Sequence, residues 1–174
     1  GLTLDISGDG LFWDQSTIGT QGNTLTNADT FTITGSGTKT LNGAGQFINA
    51  AAGTLTHQEG TITFADGATL RNQGSMLMPL GATPKGYAGT GSVINEATGT
   101  VAWTGGTIAV ASPAEFHNQG TLTISGTTHT LSGTGVFAND ATGITNWTDA
   151  STITLSTGAT YTNNGTFNVN NDAN

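Results

Sequence analysis

The chain has no cysteine, three prolines and only three basic residues, Lys39, Arg71 and Lys85, in 174 residues. Without cysteine there is neither a disulfide framework nor a thiolate metal site. Eleven acidic residues against three basic ones leave a net charge of -8. That surface is a poor match for nucleic acid or an anionic membrane, because phosphate backbones are held mainly by Lys and Arg. No apolar run approaches the length of a membrane span, and no basic-then-apolar leader is present. The chain opens at Gly1 without a methionine, which reads as a processed product or a segment of a longer chain. Charged residues are 8% of the total, far below the ~25% of ordinary soluble domains. Disorder is nevertheless excluded by regularly placed Leu, Ile, Phe and Val, which disordered chains lack.

What is present in abundance is glycine, threonine and asparagine, and the asparagines keep time. Asn27, Asn49, Asn72, Asn95, Asn118, Asn139 and Asn163 follow one another at spacings of 22, 23, 23, 23, 21 and 24. In the stretch Phe116 to Leu122, FHNQGTL, an aromatic stands two places before the asparagine and a small-residue turn follows. A period in the low twenties is that of a solenoid coil. Asp5 stands 22 residues before Asn27 and is expected in an earlier asparagine slot. A longer unit of two coils is also visible, at 27–71, 72–117 and 118–162, with partial units at 1–26 and 163–174.

The segments between turns are short and alternating. In TFTIT, 30–34, Phe31 and Ile33 face one way and the threonines the other, because successive strand side chains alternate. Met76 with Met78, Leu122 with Ile124, and Phe167 with Val169 are the corresponding inward pairs. No segment has a helical period. The expectation is an all-β, right-handed parallel β-helix with three short strands per coil and seven to eight coils, a rod roughly 35 Å long at ~4.8 Å per coil. An antiparallel sandwich accounts less well for so constant a period.

The phrases GTLT (53–56 and 120–123), WTGGTI (103–108) and the Asn-x-Gly-Thr-Leu turn (118–122) resemble the β-strand repeats of large secreted bacterial proteins, including adhesins and autotransporter passenger regions. The resemblance covers essentially the whole chain. It implies a bacterial extracellular or cell-surface location and a structural or adhesive role, but no particular activity, since such scaffolds carry many.

Stacked coils would place the seven asparagines a strand spacing apart, so that each amide donates to the next and satisfies turn groups with no sheet partner. Trp13, His57, Trp103 and Trp147 fall on every second coil, and are expected as an internal stack with Gly35 and Gly126 opposite to leave room. The rival reading makes Trp13, Trp103 and Trp147 exposed platforms for sugar rings. Outward Thr-x-Thr pairs at 30–32, 54–56 and 121–123 are of the kind that suits ice binding, but Leu77 and Ala102 interrupt them.

Catalytic and metal chemistry find no constellation. Registered on the asparagines, Glu96 and Asp140 are equivalent and two coils, ~10 Å, apart with Gln119 between, beyond the ~5 to 9.5 Å that glycoside hydrolysis needs. Glu59 and Asp149 lie farther apart. His117 with Glu115 reads as an exposed pair without a nucleophile. Ser7-Gly8-Asp9-Gly10 reads as a turn, and no calcium-binding nonapeptide recurs. No cofactor is expected. Residues 80–90, LGATPKGYAGT, form the expected surface bump: Lys85 is a surface candidate, and Tyr87, aligned with Leu41 and Leu131, is a core one. The expected function is a structural or adhesive stalk, surface-layer or filament element whose partners are further copies or flanking repeats, with surface glycans as an alternative through a carbohydrate-binding or glycan-cleaving role.

Overall fold

Alternating apolar residues, separated by glycine-containing turns too short for a helical crossover, leave one economical solution: each strand pairs with its counterpart one coil later. The computed structural model, which describes residues 2–4, 10–156 and 158–170, has that arrangement. Among the described residues, twenty-three short strands form three sheets of eight, eight and seven strands, in which every neighbour is three strands away in sequence. All the pairings are parallel, and no helix occurs among the described residues. The chain is a β-solenoid of about seven turns, each with three strands and about 23 residues.

The first sheet runs from Leu2–Leu4 through strands ending at each asparagine to Thr160–Asn163. The second runs from Leu11–Trp13 to Thr166–Val169, and the third from Ser16–Gly19 to Ile153–Leu155. Inward positions of one coil lie directly over those of the next. In the first sheet Phe47, Leu70, Val93, Phe116, Phe137 and Tyr161 make one column. The rings of Phe116 and Phe137 stack within it, with centroids 4.5 Å apart and planes 3° from parallel. In the second sheet Phe31, Leu55, Met76, Val101 and Leu122 are all buried in another such column. Stacking like on like is what gives a narrow coil a continuous core, since no coil can bury its apolar face alone.

The turn after each asparagine alternates in length. Two residues join Asn27 to the strand at Thr30, and four join Asn49 to the strand at Thr54; the alternation continues to Asn163. Each four-residue turn is closed by a hydrogen bond from its glycine to its first carbonyl, as from Gly99 N to Glu96 O at 2.7 Å. Glycine is obligatory there. A Cβ on Gly99 would lie 2.3 Å from the Asn72 carbonyl oxygen and 2.4 Å from Asn95 Oδ1.

Two alignments made by counting from the asparagines are corrected, the first of them because of this alternation. The residues paired with the aromatics of the second sheet are not Gly35 and Gly126: Ile33 lies beside Trp13 and His57, while Met78 and Ile124 flank Trp103. Tyr87 pairs with Ile62 and Val110 rather than lining up with Leu41 and Leu131, although it is fully buried as expected. Asp5 lies outside the described residues, as do Ser7, Gly8 and Asp9. The register places Leu4 opposite Asn27.

Candidate functional site

The asparagine corner is built as the spacing predicts. Nδ2 of each asparagine donates to Oδ1 of the next, from Asn27 to Asn49 at 2.8 Å and then through Asn72, Asn95, Asn118, Asn139 and Asn163 at 2.7 Å per step. The same nitrogen also reaches a carbonyl of its own turn and one of the next coil. Asn95, for example, donates to Gly99 O and Thr121 O, both at 3.2 Å. Two amide hydrogens thus serve three acceptors, and the turn glycine's carbonyl also accepts the first backbone N–H of the next coil's strand, as Gly99 O does from Thr121 N at 3.1 Å. Asn27 through Asn139 are at most 1% exposed, while Asn163 on the last rung is exposed. The nitrogens have no proton left to offer, and burial keeps the oxygens out of reach of a metal or a sugar.

The aromatic column faces inward. Trp13 and Trp103 are 5% and 2% exposed, and His57 is wholly buried. Trp147, nearer the end of the stack, is only partly covered. Trp103 donates its indole N–H to Gly105 O at 3.1 Å, and Trp147 donates to Ser151 Oγ at 3.1 Å. Neither Trp13 nor Trp103 turns a ring face to solvent, which removes the geometric basis for a row of three sugar platforms.

Beside that column the structure buries two cations, one of which, Lys85, was expected on the surface. Lys85 belongs to the strand Lys85–Gly89 and has no exposed area. Lys39 is buried as well, and its Nζ donates to Gly35 O at 2.6 Å and Gly37 O at 2.8 Å. Lys85 Nζ has no hydrogen-bond partner among the described residues. Burial lowers both lysines' pKa, with Glu59 opposing it in each case and Asp14 also opposing it at Lys39. The signal was present in the sequence: Lys39 has the same strand parity as Leu41, and Lys85 the same as Tyr87. Residue type overrode parity in the reading, because a lysine is rarely inside.

Between them sits His57. Its Nε2 donates to Gly60 O at 3.0 Å, so Nδ1 is the acceptor for the Tyr87 hydroxyl at 2.9 Å. Burial, reinforced by Lys85 and Lys39, pushes its pKa down to about 3 against the help of the Gly60 carbonyl. It is a neutral structural imidazole. His129, three coils on, is also buried, with Nε2 donating to Trp103 O at 3.1 Å and its ring edge-on to Trp103 at 4.7 Å, but its Nδ1 has no hydrogen-bond partner among the described residues.

The outer polar groups collect at the asparagine corner. Glu96 and Asp140 do occupy one row with Gln119 between them, as the register predicts. Gln73 Nε2 donates to Glu96 at 2.9 Å and Gln119 Nε2 to Asp140 at 3.1 Å, while Arg71 pairs with Glu96. His117 bonds Glu115 at 3.1 Å, as expected of that pair, and also Asp140 at 3.1 Å, a contact one coil away that spacing alone did not suggest. Burial opposes protonation of His117, but bonds to two carboxylates outweigh it and hold its pKa above the ordinary value. Among the described residues, no group of three or more His, Asp or Glu is arranged to hold a metal ion.

Comparison with known proteins returns no matching family model, no matching curated protein and no matching solved structure.

The remaining feature is a hollow at the far end of the stack. Trp103, Ile124, Leu131, Phe137, Trp147, Ile153, Leu155, Tyr161 and Phe167 enclose an apolar cavity of about 240 Å³. Part of its cause is local: Thr145 stands in the inward column otherwise filled by Leu, Val, Met or Phe, and spends its hydroxyl on Tyr161 Oη at 2.7 Å. The rest is position. Leu155 and Val169, on the last coils, remain 53% and 57% exposed although they lie over core columns.

Proposed function

We propose that this chain is an extracellular structural and adhesive element of the secreted bacterial β-strand-repeat type, a rod that serves as part of a stalk, surface layer or filament. The observation that carries the reading is where the chemistry has gone. Asparagine amides and His57 are spent on holding coil to coil, the Trp103 indole and the Lys39 ammonium on carbonyls of their own turns, and the outward rows are rich in threonine with few charges. Such a surface suits mechanical length and broad, weak contacts better than turnover of a bound substrate. The carbohydrate-binding alternative loses its main support with Trp13 and Trp103 turned inward.

Negative-stain electron microscopy of the purified chain tests this, together with quenching of tryptophan fluorescence by acrylamide. Rods or strings of rods with two of the three tryptophans protected are expected. Globular particles, or three freely quenched tryptophans whose emission shifts on adding oligosaccharides, would replace the rod by a glycan-binding module.

A further inference from the structure

We infer that the corner beside Gly106 is a binding site for a small monovalent anion, a halide or a carboxylate, with the Lys85 ammonium as its cation. The inference goes beyond the structural-rod reading and stands apart from it, since a rod needs no bound ion. It starts from an asymmetry between the two buried lysines. Lys39 Nζ is closed off by Gly35 O and Gly37 O at 2.6 and 2.8 Å. Lys85 Nζ is as deeply covered and donates to nothing among the described residues. A buried ammonium without an acceptor is among the costliest arrangements in a fold unless something brings one.

The nearby protein acceptors are committed elsewhere. In the turn before Lys85, Thr83 Oγ1 and Pro84 O both accept from Gly60 N, at 3.2 and 3.1 Å. Burial lowers the lysine's pKa and Glu59 opposes that, but no ion pair joins the two among the described residues. Positive charge therefore collects in this corner although the whole chain carries -8. Burial first, then Lys85 and Lys39, lowers the pKa of His57. Burial first, then Lys85, lowers that of His129, the residue paired with Gly106.

Glycine shapes the recess. The strand Gly106–Val110 lies next to Lys85–Gly89, and the Lys85 ammonium comes close to the first residue of that neighbour. Around the point where a Cβ of Gly106 would stand are Leu80 Cδ1 at 3.3 Å, Lys85 Nζ at 3.6 Å and Gly81 N at 3.9 Å. Two N–H donors border this spot, for Gly81 N–H has no backbone acceptor among the described residues either. The remaining wall is an alkyl group with freedom to move: Leu80 is 61% exposed and lies outside the core cluster. Swinging it outwards breaks no hydrogen bond and opens a path to Lys85 Nζ. An ammonium beside a backbone N–H is a combination that holds anions generally.

The test uses the intact chain in a sulfonate buffer of fixed ionic strength, in which sodium chloride or sodium formate replaces the bulky buffer anion. The urea midpoint should rise as for a single site, so that at ten times the dissociation constant the folded-to-unfolded ratio is up about elevenfold. The chloride NMR line should broaden when the chain is added and narrow again with formate, as one anion displaces the other. Lys85→Met, which keeps the buried stem and removes the ammonium, should lose both responses. Only the change on adding anion is read, because removing the ammonium also shifts the starting stability. Arg71→Gln, at a part-exposed cation elsewhere on the surface, should keep both. A midpoint that responds equally in the unmodified chain and in Lys85→Met would be a general salt effect and would overturn the site. So would a chloride line that the chain leaves unbroadened, or one that Lys85→Met broadens as much.

Discussion

Replacing Asn95 by alanine breaks the corner ladder in its middle, and the structure sets the size of the effect. Asn95 accepts from Asn72 and donates to Asn118, both at 2.7 Å with every partner fully buried. The two inter-coil bonds are worth roughly 1 kcal/mol each. Asn72 Nδ2 keeps Gly74 O and Thr100 O as acceptors, but Asn118 Oδ1 is left with no donor in a buried corner. An orphaned buried acceptor adds about 1–3 kcal/mol, for a total of about 3–5 kcal/mol. The control is Asn163→Ala at the exposed last rung, where Asn139 Nδ2 retains Gly143 O and Thr166 O. That change should cost about 1 kcal/mol. Urea unfolding followed by tryptophan emission and by far-ultraviolet circular dichroism measures both, and comparing the two probes shows whether the coils still unfold together. If Asn95→Ala shifts the midpoint no more than Asn163→Ala does, the ladder is an ornament of the turn and the accounting fails.

The buried lysines should respond in opposite directions. Lys85→Met removes an ammonium with no hydrogen-bond partner among the described residues and should raise stability by about 1–3 kcal/mol, whereas Lys39→Met strands the Gly35 and Gly37 carbonyls and should lower it by a similar amount; a loss of stability in Lys85→Met would refute the first. The histidines oppose one another in pH. His57 has a depressed pKa, so its contribution is present above the unfolded value of ~6.5 and is lost as pH falls towards about 3. His117 has a raised pKa, so its contribution is full below ~6.5 and fades as pH climbs through the raised value. Urea midpoints of the unmodified chain and of His117→Gln from pH 5 to 9 should therefore converge on the alkaline side, and an imidazole signal of His57 that titrates near 6.5 by NMR would contradict its burial. Gly99→Ala should cost about 1–3 kcal/mol by overpacking against Asn72 O, whereas Gly19→Ala, with nothing within 4 Å of the new methyl, should be neutral or gain up to about 1 kcal/mol; equal midpoints for the two would remove close approach as the reason for glycine.

Much of this was legible from residues alone, and the reason is that it is local. Alternation within five residues places Phe31 and Ile33, or Met76 and Met78, on one side of a strand whatever the rest of the chain does. A repeating asparagine next to a turn glycine marks a corner because one side-chain amide there can donate to the turn carbonyl and to the next asparagine at once. The role expected for each part of FHNQGTL holds in three dimensions: Phe116 in the core, Asn118 a rung, Gly120 in the turn, Leu122 inward in the next strand.

What depended on the tertiary structure is everything that compares one coil with another. Turn length alternates between two and four residues, so counting from the asparagine misplaces by two whatever follows the turn. That is why Gly35 and Gly126 were set against the tryptophans in place of Ile33 and Ile124. Burial of Lys39 and Lys85 needed a corner with carbonyls or glycine beside the ammonium, the bond from His117 to Asp140 needed a neighbouring coil, and the hollow behind Phe167 needed two coils and Thr145 at once. Period and parity are properties of a strand, and the sequence by itself determined them. Register is a property of two strands some 23 residues apart, and only packing decides it.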